Sequence, residues 1–240
     1  MSFLVPHRFC GPPQSGNGGW VSGHAAALVP GPSDGAVTVR LRTPPPLDRD
    51  LDVRTGEDGT LTVTDGDHVV LEAAADAPRQ PRGIPAAVAF DVAKACGERY
   101  EGLHDHPFPT CFTCGTERDP GDALCLRPGR VEGADTYACA WVPGQDVDRE
   151  TVWAALDCPG GWASGFAGRP MVLGTMTAQV TALPTPGEPH VVMAWRRGGE
   201  GRKHLSGTAL YAADGRLLAQ AEAVWLAIDP TAVRPAGASA

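Results

Sequence analysis

The sequence predicts an α+β protein of two tandem units, each a short helix followed by a meander of antiparallel strands. Three features recurring in the same order predict it. The octapeptide Gly18-Gly19-Trp20-Val21-Ser22-Gly23-His24-Ala25 returns as Gly160-Gly161-Trp162-Ala163-Ser164-Gly165-Phe166-Ala167, with six identities in eight positions. An alternating, β-branched run ends at Pro44 and Pro46 in the first copy and at Pro184 and Pro186 in the second. An Asp-Gly pair separates apolar runs at Asp65-Gly66 and again at Asp214-Gly215. Self-similarity at one long spacing marks structural units fused in one chain, and ligands of such a pair are expected where the units meet.

Each element has its own local reason. Pro6, Pro12 and Pro13 keep residues 1–16 extended or looped. Asn17 is a suitable N-cap for a helix over Asn17–Leu28, which Pro30-Gly31-Pro32 ends. Ala36–Arg42 alternates and reads as a strand, broken by Pro44-Pro45-Pro46 before Leu51–Arg54. Thr60–Thr64, Asp65-Gly66 and Val69–Ala73 form a hairpin. Residues 76–109 are rich in Pro, Gly and charge, with one short helix near Ala86–Ala95.

In the second copy, strands are expected near Leu124–Leu126 and over Thr136–Trp141. A helix over Thr151–Phe166 is expected to break at Pro159. Strands over Gly174–Leu183, Val191–Trp195, Gly207–Ala212 and Leu217–Ile228 then complete the sheet. The expected organisation is an N-terminal unit over 1–78, a connector over 79–108, a C-terminal unit over 109–229 and a disordered tail over 230–240.

Composition narrows the function classes. With 42% hydrophobic and 20% charged residues the chain has the balance of a soluble globular protein. Its net charge of −8 argues against a nucleic-acid partner. No apolar run approaches the roughly 18 residues needed to cross a bilayer, and the first residues lack the order of a secretory signal. A cytoplasmic protein with no membrane partner is expected. Seven cysteines, an odd number, are read as mostly reduced.

One helix and a strand meander in two copies, from Phe9 to Asp229, resemble the hotdog fold of the acyl-CoA thioesterase superfamily. The segments Val152–Ala163, Asp214–Glu222 and Pro109-Thr-Cys-Phe-Thr-Cys-Gly115 carry the resemblance most specifically. It implies a double hotdog, each unit a curved antiparallel sheet around a central helix. It also implies a hydrolase cleaving the thioester of a small or fatty acyl group, with acyl-CoA or another acyl thioester as partner. The alternative is a non-hydrolytic acyl-CoA or lipid-binding protein on the same scaffold; homo-oligomers of double hotdogs are an expectation of either.

The resemblance also locates candidate chemistry. Many members carry His-Gly-Gly with an acid about seven residues after the second Gly; here Asn17 and Pro159 replace the His, and Ala26 and Gly168 stand at the acidic place. Type II acyl-CoA thioesterases use an Asp early in the strand after the second helix. That strand here reads Gly174-Thr-Met-Thr-Ala-Gln-Val-Thr181 and has none. Asp157 is the best remaining acid, with Asn17 as its counterpart near the first helix, and these two are the catalytic candidates. Ser15 aligns with Asp157 when the two glycine motifs are superposed.

Gly18, Gly19, Gly160, Gly161 and Ser164 are expected to face substrate, because glycines on a helix face admit a backbone or a thin ligand arm. Arg196, Arg197, Arg202 and Lys203 flank a glycine-rich hairpin able to hold the phosphates of coenzyme A. Cys111-Phe-Thr-Cys114, with His104, His106 and Cys125 nearby, has the spacing of a zinc pair. Without a second such pair it is read as packed cysteines in a turn, so neither metal nor cofactor is expected.

Overall fold

Side-chain alternation along the chain builds one antiparallel sheet in the computed structural model, which describes residues 2–31, 34–78 and 83–229. The first half comprises Ser2–Phe3 (β1), the helix Gly18–Ala26 (α1), Ala36–Leu41 (β2), Leu51–Thr55 (β3), Leu61–Asp65 (β4) and His68–Asp76 (β5). The helix Phe90–Gly97 (α2) follows. The second half comprises Gly129–Arg130 (β6), Thr136–Trp141 (β7), the helix Arg149–Ala163 (α3), Met171–Val180 (β8), His190–Glu200 (β9), Lys203–Ala212 (β10) and Leu217–Ala227 (β11). The strand order β1-β3-β4-β5-β2-β8-β11-β10-β9-β7-β6 places equivalent strands symmetrically about a central β2–β8 pair.

That central pair welds the halves. Ala36 pairs with Gln179 and Arg40 with Thr175, so the pairing is centred on Thr38 opposite Thr177. The two threonine hydroxyls are 2.7 Å apart, and the Thr38 hydroxyl also donates to Asp76. Successive side chains of a strand point to opposite faces. Met176, Ala178 and Val180 therefore turn inward to the core that α1 and α3 cover, while Thr175 and Thr177 turn outward. In the second half Val192 and Leu210 join that core, whereas Val191, Met193 and Tyr211 pack with Ala93 and Cys96 of α2 on the other face.

The helices cross where glycines allow it. A Cβ on Gly19 would lie 2.4 Å from Asp157 Cβ and 2.8 Å from the Trp153 carbonyl oxygen. A Cβ on Gly23 would lie 2.8 Å from Glu150 Cα. Each mid-helix glycine costs about 0.5–1 kcal/mol relative to alanine; here it permits backbone contact between α1 and α3. The packing partner of this glycine face is the other helix, not the sheet.

Three expectations need correction. The helix does not break at Pro159: the residue is buried inside a continuous α3. Proline removes one backbone donor, the partner of Ala155 O; on either side of that carbonyl, hydroxyls from outside the helix hold its neighbours, Thr208 donating to Leu156 O at 2.8 Å and Thr113 to Ala154 O at 3.2 Å. Leu124–Leu126 is not a strand, because Cys125 has φ +49°, outside the extended region. The two glycine motifs occupy opposite ends of their helices, the first turn of α1 and the last turns of α3. The disordered tail expected over 230–240 lies outside the described residues.

Candidate active site between the two halves

Asn17 and Asp157 come together through capping and helix crossing. Asn17 is the N-cap of α1, its side-chain oxygen accepting from Trp20 N at 2.9 Å. Asp157, midway along α3, accepts from Gly19 N at 2.9 Å through Oδ2. Asp157 is 2% exposed, and its Oδ1 has no hydrogen-bond partner among the described residues. Burial, with a smaller contribution from Cys111, pushes its pKa up to about 8, against the Gly19 amide and the neighbouring Asn17 side chain, which lower it. A buried polar oxygen without a partner is costly; Asp157 is also one of the residues that line a cavity of about 140 Å³.

Both halves line that cavity. The first contributes Ser15, Asn17, Gly18 and the Leu41–Pro45 stretch; the second contributes Phe108, Asp157, Phe166, Leu173 and Trp225. The walls are mostly apolar, with polar groups gathered at the α1–α3 crossing.

Three thiols share this wall. Cys111, Cys114 and Cys158 are buried, with their sulfurs all within 4.8 Å of one another. Cys111 and Cys158 are 3.7 Å apart, and the Asn17 amide nitrogen lies 3.6 Å and 3.9 Å from these two sulfurs. The thiols of Cys114 and Cys158 hold Cys111 well below the usual thiol range, helped by the backbone amides of Cys114 and Thr113. Cys158 is raised by sharing its proton with Cys111, and Cys114 is raised first by burial. His106 Nε2 lies 3.4 Å from Cys114 Sγ and 3.1 Å from its carbonyl oxygen. Burial pushes the His106 pKa down.

Cys158 was missed by the sequence reading, which weighed Cys125 and His104 beside the Cys111/Cys114 pair. Cys125 instead donates to Arg118 O at 3.6 Å, and His104 is exposed. Nothing local ties Cys158 to a turn 44 residues upstream; the only signal was its place directly after Asp157.

The remaining candidates fall elsewhere. Gly18 lines the cavity, and Gly19 spends its amide on Asp157. Gly160 packs on Ser206 and Gly161 on the Trp225 ring, and Ser164 caps the end of α3 and donates to Leu205 O at 3.4 Å. Arg196 and Arg202 line a separate shallow depression with Arg169 and His204. Arg197 pairs with Glu222, and Lys203 is exposed at the start of β10. Across the helices Asp157 faces Gly19; Ser15, its partner by motif alignment, precedes α1 and borders the same cavity. Thr175, Thr177 and Glu222 line an outward-facing hollow on the sheet, apart from Asp157.

No protein-family model and no curated relative matches the sequence. Solved structures match across nearly the whole chain. A conserved protein of unknown function with a hot dog fold from Alicyclobacillus acidocaldarius is 15% identical, with 95% of this chain and 93% of that one covered at a TM-score of 0.60. The pyran synthase domain from module nine of the sorangicin pathway is 15% identical, covering 95% and 92% at 0.63. An acyl-CoA thioesterase II, TesB2, from Mycobacterium marinum is 12% identical, covering 91% and 88% at 0.55. No helix among the described residues is long and apolar enough to cross a membrane. With its central β2–β8 pair and two crossed inner helices, the chain is a double hotdog, sharing its fold with solved thioesterase II proteins.

Proposed function

We propose that the protein is a thioesterase-like hydrolase that cleaves an acyl thioester of a small or fatty acyl group, acyl-CoA being the first candidate substrate. The observation that carries this is Asp157 in the lining of an apolar cavity, its Oδ2 held by the Gly19 amide and its Oδ1 without a hydrogen-bond partner among the described residues. Ionised Asp157 takes a proton from a water molecule, and the water oxygen attacks the thioester carbonyl carbon. The C–S bond breaks, and the departing sulfur takes up the proton, leaving a free acid and a free thiol. The positive end of α1, with Gly18 at the cavity wall, favours the negative charge that develops on the carbonyl oxygen. Arg196 and Arg202 are suited to the phosphates of a coenzyme A carrier.

One contact favours non-hydrolytic binding of an acyl thioester instead: the Gly19 amide, a natural donor to a thioester carbonyl, is already engaged by Asp157. A thiol-release assay across short, long and aromatic acyl-CoAs separates the two. Release above background with at least one substrate supports hydrolysis. No release, with acyl-CoA raising the melting temperature, overturns hydrolysis in favour of binding.

A further inference from the structure

We propose that Cys111, Cys114 and Cys158 form a binding site for a thiophilic divalent cation, zinc above all, with its fourth position turned to the cavity. The two halves of the sulfur set come from different parts of the chain. Cys111 and Cys114 sit at the ends of a tight turn, where Gly115 N donates to Cys111 O at 2.8 Å. A Cβ on Gly115 would lie 2.5 Å from that same oxygen, so the turn admits only glycine there. Cys158 arrives from α3.

Geometry and donors agree. Thiolates on a tetrahedral zinc ion, at about 2.3 Å each, stand about 3.8 Å apart; Cys111 and Cys158 are 3.7 Å apart. Packed thiols with no ion to hold need few donors, since sulfur accepts weakly. These sulfurs are instead surrounded by N–H groups. Asn17 Nδ2 addresses Cys111 at 3.6 Å and Cys158 at 3.9 Å. The Phe108 amide donates to His106 Nδ1 at 3.0 Å, which assigns the ring proton to Nε2, beside Cys114 Sγ. Such outer donors offset the charge of metal-bound thiolates and orient them. His106 is thus a positioning residue rather than a fourth ligand, and all three cysteines are among the residues that line the cavity, from which a solvent molecule would complete the coordination. The site stands independently of thioester hydrolysis.

The test uses the full chain, purified under a non-chelating reductant with zinc supplied. Elemental analysis should give about one zinc per chain. Cobalt added to the metal-free protein should give a thiolate charge-transfer band with the intensity of three sulfur ligands and the visible bands of a tetrahedral site. Cys111→Ser, Cys114→Ser and Cys158→Ser should each weaken binding at least tenfold, while Cys125→Ser should not. The cobalt spectrum of the unsubstituted chain keeps the test valid if a variant fails to fold. Absence of both zinc and the charge-transfer band overturns the proposal. So does an undiminished band in Cys158→Ser, or ready formation of a Cys111–Cys158 disulfide by protein that binds no metal.

Discussion

The carboxyl of Asp157 on α3 accepts the backbone N–H of Gly19 on α1 at 2.9 Å, so one hydrogen bond joins the two inner helices and holds the candidate acid. The contact exists because residue 19 has no side chain. Any Cβ there would fall between Asp157 and the α3 backbone.

Gly19→Ala should therefore act on both stability and chemistry. The added methyl must push α3 away, an overpacking change that costs about 1–3 kcal/mol. Urea denaturation should show that loss, and thioester cleavage should fall further than the loss of folded protein explains.

Thr208→Val removes the hydroxyl that braces Leu156 O beside Pro159 while keeping the side chain's shape. Loss of this buried hydrogen bond should cost about 0.5–1.5 kcal/mol. Denaturation of this variant, compared with an exposed control such as Thr55→Val, measures it.

Glu150 gives a pH-dependent contribution. His24 Nδ1 lies 3.5 Å from Glu150 Oε1, and its hydrogen bond holds the Glu150 carboxyl below the usual value of 4.5, against the effect of burial. A depressed carboxyl pKa stabilises the fold above the unfolded value, and that stabilisation is lost as the pH falls through the folded value. Glu150→Gln should cost about 0.5–1 kcal/mol at neutral pH, and the difference from the parent chain should shrink well below pH 4.5.

Much of the architecture was legible in the sequence because it is written locally. The alternation of Ala36–Leu41 and the two Asp-Gly turns need only their neighbours to be read, and β2, β4–β5 and β10–β11 form where expected. Pro159 misled because the buried α3 is held by contacts distant in sequence, among them the hydroxyls of Thr208 and Thr113 on Leu156 O and Ala154 O. The glycine motif correctly signalled duplication, but its copies lie at opposite helix ends, so motif alignment matched Asp157 with Ser15 rather than with Gly19. Asn17 and Asp157 were legible as a cap and an acid beside glycines. Cys158 was not, since only the crossing of α3 over the 108–115 turn brings its sulfur to Cys111.

Asp157→Asn tests the central claim most directly. The substitution keeps the shape of the side chain and an acceptor for Gly19 N, but removes the carboxylate. The thiol-release rate with the best acyl-CoA substrate should fall roughly 10²–10⁴-fold, with circular dichroism and melting behaviour still those of a folded protein. An unchanged rate in a folded Asp157→Asn protein would contradict the account.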